Sequence, residues 1–300
     1  MGTVKLTLLT SIVKREIIMV GSAGRLDVVA TPIGNLADLS PRAREALAGA
    51  DLIAAEDTRH TAILLASCGI SRPMVSLHQH NEAGRIAPLL ASLQSGSHIA
   101  LVSDAGTPLL SDPGFALVRA AAQAGFEVRT IPGPSAIAAA LSIAGIATDR
   151  FAFEGFLPAR SSARRQALRA LAAETRTLVF FEAPHRIGES LADLAAELGA
   201  GRQGALTREL TKSHEAVYRA SLGELAALAK TDENMARGEI TLVVEGAAAS
   251  ESDADLGLLD RALALLVPEL PPARAAAIAA QLSGAARSVA YARALALSGK

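Results

Sequence analysis

Carboxylates, arginines and histidines gather at the ends of short β-rich runs, where such groups could exchange protons or hold phosphates. Glu56, Asp57 and Arg59 follow the run Asp51–Ala55, and Ser103-Asp104 follow His98–Val102. Glu182, His185 and Arg186 follow Thr177–Phe181, while Pro32 and Pro134-Ser135 close two other runs. In open α/β sheets, ligands bind at the carboxyl ends of the strands, so these loops point to one shared cleft. Turn formation is the alternative for any single loop, because turns also draw on Asp, Pro, Gly and Ser. His78 and His80 with Glu82 could touch a metal, but residues of this kind after a strand are more often solvated or substrate-facing. No metal is expected. Gly199-Ala200-Gly201-Arg202-Gln203-Gly204 fits G-x-G-x-x-G, yet it follows a helix and precedes a strand, the reverse of a dinucleotide site. It reads as a helix C-terminal turn. The chain has no G-x-x-x-x-G-K-[ST] and no G-x-S-x-G, which argues against a phosphate loop and an acyl-transfer triad.

The elements that must position these groups alternate from Leu26 onward. Strands are expected at Leu26–Ala30, Asp51–Ala55, Met74–Leu77, His98–Val102 and Phe126–Ile131. Between them lie helices from Ser40-Pro41 to about Gly49, from about Ile86 to Leu93 and from Gly114 to Ala124, with another starting at Ala136. This order specifies a parallel sheet with helices on both faces. The rhythm pauses near Ala147, and a second α/β block follows. It has runs at Phe151–Phe156, Thr177–Phe181, near Ala205–Glu209 and at Ile240–Val244, and helices at about Ala163–Ala173 and Ile187–Leu198. Ala247–Asp255 reads as a linker, and Asp260–Lys300 as a helical tail of helix-turn-helix type around Gly284. The expected division is an extension at 1–24, α/β domains at 25–146 and 147–247, and a linker with tail at 248–300.

Composition bounds the function classes. Half of the 300 residues are hydrophobic and a fifth are charged, enough for a sizeable core and too apolar for general disorder. One cysteine, Cys68, rules out an internal disulfide framework. A net charge of −1 rules out a molecule that coats nucleic acid all over, so any basic surface is local. Two segments qualify. Residues 150–219 hold 11 Lys or Arg against 8 Asp or Glu, with Arg160, Arg164, Arg165 and Arg169 close together. Residues 261–300 hold 5 basic residues and 1 acidic. Seven Phe, two Tyr and no Trp argue against a stacking platform for single-stranded bases. The apolar runs Leu6–Val13 and Ile17–Val20 are short and separated by Lys14-Arg15-Glu16, so residues 1–24 read as an extension and the protein as cytoplasmic.

Several motifs occur in a fixed order. They are Ala30-Thr31-Pro32-Ile33-Gly34-Asn35-Leu36, Ala55-Glu56-Asp57-Thr58-Arg59, Ser103-Asp104-Ala105-Gly106-Thr107-Pro108, Ser111-Asp112-Pro113-Gly114 and Pro132-Gly133-Pro134-Ser135-Ala136. Phe153-Glu154-Gly155-Phe156-Leu157-Pro158, Phe181-Glu182-Ala183-Pro184-His185-Arg186, Glu209-Leu210-Thr211-Lys212 and Gly238-Glu239-Ile240 complete the set. Together they closely resemble the ribosomal RNA small subunit methyltransferase I family, within the tetrapyrrole methylase superfamily, over about Leu26 to Gly246. The resemblance implies two α/β domains of tetrapyrrole methylase type with S-adenosylmethionine in the cleft between them, a homodimer, and methylation of the ribose 2′-hydroxyl of a cytidine in the decoding region of 16S rRNA, with the small subunit as partner. By the same analogy the cofactor would touch Pro32, the segment Gly106, Thr107 and Pro108 to Ser111, Ser135-Ala136, Glu182, Glu209-Leu210 and Glu239-Ile240. Rival readings are a tetrapyrrole or diphthamide-precursor methyltransferase, a non-catalytic ribosome-binding protein, and a nucleotide hydrolase, which lacks its phosphate loop.

Methyl transfer from a sulfonium needs an aligned acceptor and loss of the hydroxyl proton, with no metal. Glu56, Asp57, Asp104, His185 and Lys212 are the groups available. Asp57 and Asp104 are expected to position or deprotonate the substrate, with Lys212 as the third catalytic candidate. Arg59 and Arg186 are expected to hold phosphates, and Glu56, His185, Arg160, Arg164 and Arg165 to face RNA. The alternative for each arginine of the loops is an ion pair with a neighbouring carboxylate.

Overall fold

A computed structural model describes residues 24–248 and 256–298, so the expected N-terminal extension and most of the expected linker lie outside the described residues. Contacts divide the described residues into two compact units, residues 24–32 with 36–134, and residues 33–35 with those from 135 onward.

In the first unit, strands β1 (Arg25–Val29), β2 (Leu52–Ala55), β3 (Met74–Ser76), β4 (His98–Val102) and β5 (Glu127–Ile131) form one parallel sheet in the order β3-β2-β4-β1-β5. Successive side chains point to opposite faces of a strand. Ile53, Ala55, Ala100 and Val102 pack with Leu47 of α1 (Pro41–Gly49) and Leu65 of α2 (Thr58–Ser67). Ala54, Ile99 and Leu101 pack instead with Leu89 and Leu93 of α3 (Glu82–Gln94) and Leu117 of α4 (Phe115–Gln123). Both faces are thus covered, as a parallel sheet requires. Ser40 caps α1 by accepting the Ala43 amide at 3.1 Å, with Pro41 at the first helical position. Glu82 plays the same part for another helix. Its Oε1 accepts the amides of Gly114 and Ala116 at 3.0 and 3.1 Å, at the start of α4. That occupies one member of the His78, His80, Glu82 set, and no group of three or more such side chains among the described residues could hold a metal.

The second unit holds a mixed sheet in the order β6-β7-β10-β8-β9, from β6 (Phe151–Phe156), β7 (Thr177–Glu182), β8 (Gln203–Arg208), β9 (Ala216–Ser221) and β10 (Ile240–Val244). Only β6 and β7 run parallel, and the other pairs are antiparallel. Leu178, Phe180, Leu206 and Leu242 face α6 (Ser161–Ala170), α7 (Ile187–Leu198) and α8 (Leu222–Leu228) through Leu168, Leu191, Leu194 and Leu225. Val179, Ala205 and Val243 face α5 (Ala136–Ala144) through Ile137, Ala140, Leu141 and Ala144. Helix α5, placed by sequence before a boundary at 146, therefore packs on the second sheet. Residues 199–202 form the turn between α7, which ends at Leu198, and β8, which starts at Gln203 and takes in Gly204. The tail is three helices, α9 (Leu256–Leu266), α10 (Pro272–Ser283) and α11 (Arg287–Leu297), closed around Leu259, Leu263, Ala275, Ala279, Ala290 and Ala294. Gly284, at φ 73°, turns the chain from α10 toward α11.

Glu82→Ala leaves two helix-start amides without their anionic acceptor. It is expected to lower unfolding free energy by about 1–2 kcal/mol in urea titration, and an unchanged midpoint would show the cap to be dispensable.

Candidate active site

The end of β2 and the end of β4 are tied to each other in both directions. Asp104 Oδ1 accepts the Asp57 amide at 3.1 Å, and Glu56 Oε2 accepts the Asp104 amide at 3.3 Å. Burial raises the Glu56 carboxyl above its ordinary range; the Asp104 amide opposes this, and the charges of Asp104 and Asp57 add to it. Asp112 joins the cluster. Burial pushes its carboxyl up to about 6, against a hydrogen bond from Ser103 and with the charges of Glu56 and Asp104 adding. Asp57 goes the other way. Its carboxylate caps α2, accepting the Arg59 amide at 2.8 Å, and binds the Arg59 guanidinium at 2.7 and 3.1 Å, which holds it well below the usual carboxylate range. Such a group is a weak proton acceptor and a good anchor. Sequence groups Asp57 with Asp104 and the structure brings them together, but Asp112 stands out in the sequence only as part of a motif. Nothing in the residue types foretells the left-handed backbone at Leu109 and Ser111, φ 76° and 73°, which sets its loop.

Three loops of the same unit meet beside this cluster. Thr31 and Gly106 form an isolated bridge with amide-to-carbonyl distances of 2.9 and 3.1 Å, next to buried Pro32. Thr107 donates its hydroxyl to the Pro134 carbonyl at 3.0 Å. Pro108 is buried, while Ser111 is exposed.

In the second unit, Glu182, Glu209 and Glu239-Ile240 meet at one end of the sheet, where Ile240 pairs with both Glu182 and Arg208. The Glu209 amide donates to the Glu239 carbonyl at 2.9 Å. Lys212 Nζ lies 2.8 Å from Glu209 and 3.3 Å from Glu239. Burial opposes its charge, but these two carboxylates outweigh it and raise the Lys212 ammonium above its ordinary value. It holds its proton and acts as a fixed cation, not as a neutral base. Leu210 is buried between Glu209 (φ 51°) and Thr211 (φ 64°), and the Thr211 hydroxyl is buried with no hydrogen-bond partner in the structure. Ser135 precedes α5 without capping it by its side chain.

The expected RNA contacts divide sharply. Arg164 is fully buried, its guanidinium on Asp193 at 2.7 Å, on Glu189 at 3.3 Å and on the Ala159 carbonyl at 3.3 Å. It cannot face RNA, because α7 lies over it. Arg165 is bound to Glu197 at 2.5 Å, and Arg169 lies 3.7 Å from the same carboxylate. Arg186 is tied to Glu182, whose other oxygen accepts the Ser190 hydroxyl at 2.5 Å. Glu182 is itself buried, so this expected cofactor contact is a latch at the start of α7. For Arg59 and Arg186, the ion-pair alternative is the one observed. His185 and Arg160 are exposed.

The model of the tetrapyrrole (corrin/porphyrin) methylases matches residues 25–226, and that of the RsmI C-terminal HTH domain matches residues 250–298. The chain belongs to the tetrapyrrole methylase family and is an S-adenosylmethionine-dependent methyltransferase. Within that family it groups with ribosomal RNA small subunit methyltransferase I, as its motifs suggested. The protein of that name from Escherichia coli O157:H7 is 53% identical over 91% of this chain and 96% of its own. The one from Pseudomonas aeruginosa is 48% identical over 93% of this chain and 99% of its own. Among solved structures, uroporphyrin-III-C-methyltransferase from Thermus thermophilus shares the fold at a TM-score of 0.53 and 22% identity, covering 74% of this chain and 94% of that one. The methyltransferase CobJ does so at 0.56 and 21%, covering 76% and 95%.

S-adenosylmethionine carries cationic sulfonium and ammonium groups, and the residues present fit it. The first unit offers the Asp112 carboxylate, next in sequence to the Gly106–Ser111 segment, and the second offers the unpartnered Thr211 hydroxyl beside Leu210.

Arg164→Ala leaves Asp193 without its main partner and is expected to cost about 3 kcal/mol or more in denaturant unfolding. The raised Asp112 carboxyl binds its proton more tightly in the folded chain, so its contribution to stability grows as pH falls through about 6 and is lost as pH rises. Asp112→Asn is expected to stabilise the protein at pH 8 by about 1 kcal/mol, after discounting for partial exposure. The gain should shrink below pH 6, and equal gains at both pH values would rule out charge as the cause.

Proposed function

We propose that this enzyme methylates the ribose 2′-hydroxyl of a cytidine in the decoding region of 16S rRNA, on the small ribosomal subunit, and works as a cytoplasmic homodimer. The substrate class is supported by the shared name of relatives about half identical over nearly their whole length. No helix among the described residues is long and apolar enough to cross a membrane. The chemistry rests on one observation, the two crossed hydrogen bonds by which Glu56 accepts the Asp104 amide and Asp104 accepts the Asp57 amide.

S-adenosylmethionine, when bound, supplies an electrophilic methyl group. A ribose hydroxyl is a weak acid, so its oxygen needs a proton acceptor as it attacks. In this reading Asp104 and Glu56 are that acceptor. Asp57 positions them, since its amide fixes Asp104 while its carboxylate is committed to Arg59. Lys212 supplies positive charge held in place by Glu209 and Glu239. Pro32, Gly106 to Ser111, Ser135-Ala136, Leu210 and Ile240 are assigned to the cofactor. The exposed Arg160 and His185 are assigned to the RNA. The functional parts are then an N-terminal domain, a second α/β domain that takes in α5, and a C-terminal tail, with boundaries near 134 and 247.

Mass spectrometry of 16S rRNA from cells lacking the protein should show one missing cytidine ribose methyl that complementation restores. An unchanged pattern would overturn the substrate. Asp104→Asn and Glu56→Gln are expected to lower kcat by about 100-fold while calorimetric affinity for S-adenosylmethionine holds. Full turnover in both variants would remove the proton-acceptor assignment.

A further inference from the structure

The two basic segments of the sequence differ once their charges are paired. On α6, Arg164, Arg165 and Arg169 face Glu189, Asp193 and Glu197, which recur every four residues along one side of α7. That charge is largely compensated within the fold. The tail is different. From Leu270 to Ser298 there is no Asp or Glu, while Arg274, Arg287 and Arg293 lie within that stretch. Arg293 turns inward to Asp260 of α9 at 2.5 Å, whereas Arg274 and Arg287 are exposed.

Helix α11 is clearly two-sided. Ala290 and Ala294 are fully buried among the tail helices. Arg287, Ser288, Tyr291 and Ala292 are all exposed, and positions three and four apart share one helix face. This face carries a guanidinium, a hydroxyl, an aromatic ring 44% exposed, and a methyl small enough to admit close approach. We propose that it docks, with Arg274 of α10, on the phosphate backbone of the RNA substrate. The proposal rests on the reading of the enzyme as an rRNA methyltransferase. It also specifies how the contact is made. The second helix of a helix-turn-helix reads bases in the wide major groove of DNA, but the major groove of an RNA duplex is too deep and narrow for side chains to read. The face therefore grips phosphates and sugars, without base selection, and choice of the target nucleotide stays with the methyltransferase domains. An arginine that neutralises a phosphate releases a counterion, so binding through this face depends steeply on salt.

The test uses full-length protein and small ribosomal subunits from cells lacking the enzyme, with binding measured across a salt series. The double variant Arg274→Glu with Arg287→Glu is expected to bind at least about 10-fold more weakly, with a slope of log affinity against log salt shallower by about 1 to 2. Arg274→Lys with Arg287→Lys should retain most of the affinity. Unchanged S-adenosylmethionine affinity and oligomeric state in the double variant would confirm that the loss belongs to RNA contact. Equal subunit affinity of parent and double variant would overturn the proposal, and the parent's methylation of those subunits would leave the enzyme's function standing. A changed oligomeric state with RNA affinity intact would make the face a protein contact and overturn it too. If the parent neither binds nor methylates the subunits, the rRNA reading falls first and the docking face falls with it.

Discussion

Two amide-to-carboxylate hydrogen bonds between the ends of β2 and β4 determine what the rest of the first unit can do. They exist only because β2 and β4 are parallel neighbours in register, Ala55 beside Val102, so that the chain leaves both strands at the same level. That register in turn depends on side chains of alternating direction packing on α1 and α2 from one face and on α3 and α4 from the other. Slippage by one residue would exchange the faces and separate Glu56 from Asp104. The proton chemistry assigned to this edge is thus a consequence of how Ile53, Ala54, Ala100 and Leu101 are buried.

Ionic groups near the expected sites fall into two kinds. Asp57, Glu182 and Lys212 are each held by an oppositely charged neighbour, which fixes their geometry. Glu56 and Asp112 are instead pushed toward the neutral form by burial among other carboxylates. Groups of the first kind orient, and groups of the second kind hold a proton more readily than an ordinary carboxylate does. Residue type alone does not separate the kinds, because all but Lys212 are carboxylates.

Much of the fold was legible where local chemistry is unambiguous. Ser40-Pro41 announces α1, the unbroken apolar run Ile99–Val102 announces a strand buried on both faces, and Gly199 announces the end of α7. Helix α2 was missed because its cap, Asp57, was taken for a chemical group and its first residues include the β-branched Thr58 and Thr61. Strand β9 and helix α8 were missed because the hairpin after β8 has no glycine and instead holds Glu209 and Thr211 at positive φ. Arg164 was misplaced for a related reason. Three arginines on one helix, with Arg160 just before it, read as an exposed basic face until the acidic side of α7, some thirty residues later, covers one of them. The site was legible as a set of loops, and the state of each carboxylate in it was not.

The pairing of α6 with α7 also constrains how this chain can change over time. Loss of Glu197 would leave Arg165 and Arg169 without their shared partner, and loss of Asp193 would strand a buried guanidinium. Single replacements there are penalised while matched ones are tolerated. Positions 164 and 193, and positions 165 and 197, are therefore expected to drift as couples across related sequences, keeping their sum of charge while exchanging their letters.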